Sequence, residues 1–228
     1  MTHETIQTII DWINERSHKG DVFYRKLTDT VARGKAWPHG FNPECEVSGY
    51  DFFFLFAHGR CIGAVLDMGP SNLHGYMTPA LRQQGIMSRA LLETVLPLLA
   101  DEGRERQEVT FEDPRTLRFL ERAGFTIDGQ PGVNGDGRAS IDLGARAGLS
   151  PRAVEAQPLS PDRLEAVKRK IRLADQLLRS AADELEVAFG DQASVVDSLR
   201  DLAGRVSWKK AVIEDANWDA AGPVSSPD

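Results

Sequence analysis

Apolar positions change period several times along this 228-residue chain, and the changes divide it into elements. Ile6, Ile9, Ile10 and Ile13 stand three and four apart, which predicts a first helix over residues 4–16 with one apolar face. The stretch from Phe23 to Ala32, closed by Gly34, predicts a second helix. Residues 35–50 carry two Pro and two Gly and read as loop, where Trp37, His39 and Phe41 either meet a ligand or fold back on a sheet. From Asp51 the apolar positions become continuous. Phe52–Phe56 and Cys61–Leu66, on either side of His58-Gly59-Arg60, predict a hairpin buried on both faces. Leu73–Met77 predicts the next strand, and the spacing of Ala90, Leu91, Val95, Leu98 and Leu99 predicts a helix from Ile86 to about Gly103. Pro97 falls inside that pattern and should bend the helix or begin a second one, because it lacks an N–H and crowds the preceding turn. Strands at 107–111 and 139–143, a helix at 114–122 and a Gly-rich loop at 129–137 complete a first domain over residues 1–145. The fold class that follows is α/β (α+β), with a mixed, mostly antiparallel central sheet flanked by helices.

Residues 146–161 read as a linker. Beyond them Leu164, Val167, Ile171, Ala174, Leu178, Ala181, Leu185 and Ala188 form a heptad-like seam, and Val195, Leu199, Leu202 and Val206 resume it after a Gly190 break. This predicts a C-terminal antiparallel helical hairpin over 162–215, with helices at about 162–189 and 193–214, followed by a flexible tail at 216–228.

Composition narrows the class. The apolar fraction of 41% is ordinary for a globular protein. No apolar run approaches the ~20 residues that span a bilayer, so no membrane partner is expected. Cys45 and Cys61 have no second pair, which suits neither a zinc site nor a disulfide framework; no metal is expected, and a reducing cytoplasm is. A net charge of −7 argues against a general nucleic-acid surface and favours a cationic partner.

The candidate chemistry lies where the strand ending at Met77 and Thr78 meets the helix opening at Ile86, Met87 and Ser88. Arg82, Gln83, Gln84 and Gly85 form the turn between them. The first N–H groups of a helix lack intrahelical partners, and with the helix dipole behind them they suit a phosphate or pyrophosphate. Gly85 lets backbone approach such a ligand closely.

Over residues 50–145 the order of elements resembles the GNAT acetyltransferase superfamily. The family's loop, Arg/Gln-x-x-Gly-x-Gly/Ala, reads here Arg82-Gln83-Gln84-Gly85-Ile86-Met87; its later Asn-x-x-Ser/Ala-x-x-x-Tyr-x-x-x-Gly-Phe reads Asp113, Thr116, Leu120, Gly124 and Phe125. The resemblance implies acetyl-CoA, or another acyl-CoA, as co-substrate and an amine acceptor, either a small molecule or a protein. It places the pantetheine arm against the backbone of Tyr76, Met77 and Thr78, with Asp113, Thr116 and Phe119 beside it. The family's tyrosine acid falls at Leu120, which cannot donate a proton. Tyr76 would serve instead, or the thiolate would leave unassisted. His74, Glu112 and Asp113 are the candidates for the base. Leu120 and Asp113 also fit a second reading, a catalytically degenerate binding or assembly protein acting through its helical hairpin. That hairpin suits a homodimer contact through 162–215, packing in cis, or a cover over the acceptor groove.

Overall fold

Phe52 to Phe56 is the apolar run on which the N-terminal half of the chain packs, and alternation sends its side chains to opposite faces. Phe52, Phe54 and Phe56 meet Ile6, Ile9 and Ile10 on one side of the sheet, while Phe53 and Leu55 meet Leu91, Val95, Leu96 and Leu99 on the other. The computed structural model describes residues 1–15, 21–38, 49–129, 137–151, 158–189 and 194–221. The chain divides into two compact units, Met1–Val154 and Glu155–Asp228.

The first unit opens with α1 (His3–Asn14), then β1 (Asp21–Lys26), β2 (Val31–Trp37), β3 (Tyr50–Ala57), β4 (Arg60–Asp67) and β5 (Leu73–Met77). These five strands form one antiparallel sheet in the order β1-β2-β3-β4-β5. A helical run follows: α2 (Ile86–Ala90), a wide π turn (Leu91–Val95) and α3 (Leu96–Asp101). Next come β6 (Arg106–Phe111), α4 (Pro114–Arg122), β7 (Thr126–Gly129) and β8 (Gly137–Asp142), the strands forming a second sheet in the order β6-β8-β7. The expected mixed, mostly antiparallel architecture is the one found.

Three details differ from the sequence reading. The helix expected over Phe23–Ala32 is the hairpin β1–β2, turned by Thr28, whose Oγ1 accepts from Thr30 and Val31 N–H at 3.3 and 3.0 Å. Gly34 ends no helix. It lies opposite Tyr24, where a Cβ would stand 2.2 Å from the carbonyl oxygen of Phe23. Trp37 closes β2 rather than lying in a loop, and His39, Phe41 and Cys45 fall outside the described residues. Strand β7 adds an element that residues 126–129 did not suggest. At Pro97 the expected second short helix is found: α3 starts at Leu96 with Pro97 in its first turn, after a wide turn in which Leu96 N–H donates to the carbonyl of Leu91, five residues back.

The two sheets of this unit are joined near the start of β6. Asp67 accepts two bonds from the Arg104 guanidinium, both at 3.0 Å, and Arg104 Nη1 donates to Gln107 Oε1 at 2.6 Å. Gln107, fully buried, donates from Nε2 to the carbonyls of Gly69 and Pro70, both at 3.1 Å. A bidentate pair this protected from water satisfies both charges, and removing one partner strands the other.

The second unit is α5 (Pro161–Phe189) and α6 (Ser194–Ala221), an antiparallel pair. Lys168 bonds both Glu165 and Glu214, and Arg200 bonds Asp183 and Glu186. The seam is shifted from the sequence reading. Ala182 is buried where Ala181 was expected, and Val196 and Ala203 replace Val195 and Leu202, which are 46% and 40% exposed. Helix α6 also continues to Ala221, through the start of the tail expected at 216. Its inward positions 196, 199, 203, 206, 210, 213, 217 and 220 keep a strict three–four spacing to that end.

Replacing Asp67 by Ala leaves the Arg104 charge buried and unpaired, and should cost about 3 kcal/mol in urea unfolding. Lys35→Ala, which breaks only an exposed pair with Asp51, should leave the midpoint nearly unchanged.

Candidate active site

Strands β5 and β6 run side by side and then part. They are linked where β5 begins and β6 ends: Glu108 N–H donates to the Pro70 carbonyl at 2.8 Å, and the Asn72 amide exchanges bonds with Thr110 Oγ1 (3.0 Å) and Thr110 N–H (3.2 Å). Beyond Asn72 no ladder joins them, and the sheet boundary falls between them. The backbone facing follows from alternation. Asn72 accepts from Met68 N–H, and Thr78 donates to Ile62 O at 3.0 Å, so the even-numbered residues of β5 pair with β4. The N–H and C=O groups of Leu73, Gly75 and Met77 therefore turn toward β6, into the gap.

This corrects the backbone donors expected from position. Met77 faces the gap, but Tyr76 faces β4, and both the N–H and Oγ1 of Thr78 are held by Ile62 O. Gly75, which the sequence reading passed over, turns its backbone to the gap beside Met77. Its one sequence signal is a glycine inside a strand.

The loop after β5 is built to end on an open turn. Pro79–Leu81 forms a single tight turn, Gln83 takes φ +64° and Gly85 φ +73°. A Cβ at Gly85 would meet nothing within 4 Å, so this left-handed glycine borders open space. Arg89 N–H reaches back to the Gly85 carbonyl at 3.0 Å, which starts the helix. Arg82, exposed, donates from Nε to the Met77 carbonyl at 3.1 Å. Gln83 and Gln84 are exposed, and Ile86, Met87 and Ser88 are half-buried. Met87 turns onto β5, its Cε 3.3 Å from where a Gly75 Cβ would sit. Met77 lies over Gly63, where a Cβ would come within 2.5 Å of its sulfur.

The side chains of His74 and Tyr76 emerge on the α1 face. The His3 ring stands 5.0 Å from that of His74 and 5.3 Å from that of Tyr76. Tyr76 is 7% exposed and its hydroxyl donates to Gln7 Oε1 at 2.8 Å; Gln7 in turn donates from Nε2 to Asp11 at 2.8 Å. The Nε2 of His74 is buried without a partner among the described residues. Burial pushes the imidazole pKa below its ordinary value, and the positive charges of His3 and the N-terminal amine push it the same way. Glu112, just past the end of β6, acts in the opposite sense. His74, Tyr76 and the charge of Glu112 thus come together, with His3 and Gln7 as additions that only the fold could supply.

Other expected contacts are taken up structurally. Asp113 caps α4, its carboxylate accepting from Arg115 N–H at 2.8 Å. Thr116 N–H bonds the Asp113 carbonyl within the same turn, and Phe119 packs on the core. Leu120 is 4% exposed and part of that core. Cys61, buried and free, has its thiol pushed up to about 12 by burial, so it stays protonated. A cavity of about 440 Å³ opens beside the loop, lined by Gln7, Asp11 and Asn14 of α1, His58 and Arg60 of the β3–β4 turn, and Thr78, Gln84 and Ile86.

No family model matches the chain, and no curated protein does. Among solved structures it is similar to the microcin C7 self-immunity acetyltransferase MccE, solved with acetyl-CoA and AMP: 18% identity over 40% of this chain and 59% of that one, TM-score 0.33. It is similar to RimL, the ribosomal L7/L12 α-N-protein acetyltransferase, at 13% identity over 53% and 94% of the two chains, TM-score 0.41. A variant of the Vibrio cholerae spermidine N-acetyltransferase SpeG gives 12% identity over 64% and 92%, TM-score 0.42. The structures this chain is similar to are acetyltransferases. At these identities and TM-scores the likeness carries no conclusion about activity. Among the described residues no helix is long and apolar enough to cross a membrane.

Because the pKa of native His74 is lowered from its ordinary value, the unfolded chain holds more protons as pH falls through that value. The stability contributed by neutral His74 is present above it and lost below. Thermal melts from neutrality down to about pH 5 should therefore show a fall that His74→Gln makes shallower.

Proposed function

We propose that this protein is an acyl-CoA-dependent N-acyltransferase of the GNAT kind, moving an acetyl group from acetyl-CoA to a primary amine. The observation that carries the reading is the opening between β5 and β6, which leads directly to the Gly85 turn. A pantetheine arm is an extended chain with amides along it, and the edge groups of Gly75 and the N–H of Met77, whose carbonyl accepts from Arg82, offer it bonds a missing strand would make. The N–H groups at the start of the 86–101 helical run, with Arg82 beside them, suit the pyrophosphate.

The chemistry then falls to the α1 face. The amine must be neutral to attack the thioester carbonyl; a C–N bond forms, the C–S bond breaks and the thiolate departs. His74, neutral near pH 7, accepts the proton the amine loses, and the carboxylate of Glu112 stabilises the imidazolium that results. The Tyr76 proton is committed to Gln7, so Tyr76 fixes α1 against β5 and the thiolate leaves unassisted. The acceptor enters from the α1 side, where Asp11 and Gln7 line the cavity beside the loop and favour a cationic amine.

Leu120 in the core and Asp113 as a helix cap support a second reading, in which the same cleft binds an acyl-CoA without turning it over. The acyl-CoA step is tested first. Acetyl-CoA at a hundredfold excess over its Kd should stabilise the protein by about 2.7 kcal/mol. Gly85→Ala, which meets no steric contact but strains a left-handed residue, should weaken that shift. No shift at saturation would exclude both readings. With binding in hand, turnover on a panel of amines separates them: His74→Ala should lower kcat by about 10²-fold while leaving acetyl-CoA binding intact. Binding without turnover on any amine would favour the degenerate cleft.

A further inference from the structure

The cavity beside the 82–88 loop carries two opposite charges that do not meet. Helix α1 forms one of its walls and the β3–β4 turn another. Gln7, Asp11 and Asn14 stand four and three apart on α1, so they share one face of it. His58 and Arg60 come from the turn, and Ala57, Ile62, Leu81 and Ile86 supply an apolar lining.

Asn14 sets the spacing between the two walls. Its Nδ2 donates to the Cys61 carbonyl and its Oδ1 accepts from Cys61 N–H, both at 2.8 Å. The end of α1 is thereby fixed to the residue that follows Arg60. Asp11 lies one turn back along α1. Its carboxylate accepts from Gln7 at Oδ1 and keeps the other oxygen open. Among the described residues Arg60 makes no ion pair and no side-chain hydrogen bond, and Asp11 pairs with no cation, although both line the same cavity.

Two unlike charges left open on one cavity select a ligand that carries both. A polyamine suits Asp11 but brings a second positive charge toward Arg60. A phosphate or a simple carboxylate suits Arg60 but meets Asp11. An amino acid satisfies both, its carboxylate on the guanidinium fork and its ammonium on the open oxygen of Asp11. The volume of about 440 Å³ suits a small molecule, and the apolar lining suits a short carbon skeleton.

We propose that this cavity binds a free amino acid, held by its carboxylate at Arg60 and by its ammonium at Asp11. That this amino acid is also the acyl acceptor rests on the reading under Proposed function; its binding does not.

Isothermal calorimetry on the full chain, with and without saturating coenzyme A, tests the site with the standard amino acids, β-alanine and γ-aminobutyrate. At least one should bind saturably. Its amide, which lacks the negative charge, and its des-amino acid, which lacks the positive one, should each bind about tenfold more weakly. Arg60→Ala should weaken the amino acid by a similar factor and erase its advantage over the amide. Asp11→Asn, which keeps an acceptor for Gln7, should erase its advantage over the des-amino acid. Both side chains are exposed, so each variant should melt as the native protein does without ligand. No saturable binding by any of these compounds overturns the proposal. So does an amide bound as tightly as its parent, or binding that neither substitution weakens. Turnover is read separately. An amino acid that binds through Arg60 and Asp11 and is never acetylated from acetyl-CoA upholds the site and counts against acyl transfer to it. Acetylation of an amine by a protein that binds no amino acid does the reverse.

Discussion

The tie among Asp67, Arg104 and Gln107 sets what the first unit can be. It fixes the end of β4, the Gly69–Pro70 turn and the start of β6 at one point, in a setting dry enough that each charge needs the other. With the chain held there, the segment leading into β5 runs along β6, and β5 begins where β6 ends. The helical run that leaves β5 and the helix that leaves β6 both pack into the same core. A pair of strands pinned at one end and carrying different sheets at the other will diverge. The gap is thus a product of connectivity and one polar anchor, with no residue inside it required to force it open.

Much of this was legible from pattern alone, for identifiable reasons. The β3–β4 hairpin announces itself because Phe52–Phe56 and Cys61–Leu66 are buried on both faces, so no polar position interrupts them. His58 and Gly59, at φ +49° and +75°, supply the turn that matches strand twist. Leu73–Met77 and Pro114–Arg122 were equally plain from their flanking turn and capping residues. The β1–β2 hairpin was not. Its strands mix polar and small residues into the apolar ones, its turn is made by a threonine side chain, and Gly34 imitates a helix terminator while serving a cross-strand contact. Local sequence does not distinguish those two uses of glycine.

The site was legible by halves. The turn at 82–85 was legible because glycine and polar residues ahead of a periodic apolar run mark the start of a helix. The residues around the expected reaction centre come from α1, β5 and the end of β6, and their association depends on a register that no local pattern encodes. His3 and Gln7 read as the polar side of an ordinary helix until α1 is laid across Tyr76. Asp113 and Leu120 show the opposite case. Their places in a motif suggested a ligand, while capping and core packing account for both.

The wide turn at Leu91–Val95 has a consequence for how this chain could change. One residue beyond an α-helical count rotates everything on its N-terminal side by about 100° relative to everything after it. The core-facing side of Leu96–Leu99 and the loop-facing side of Ile86–Ala90 are therefore phased separately. Losing a residue from the turn would leave Leu96 and Leu99 in the core while swinging Met87 off Gly75 and turning Ala90 with it. In that sense chain length within five residues acts as a dial on the mouth of the gap, one that insertions and deletions can turn without touching the residues that line it.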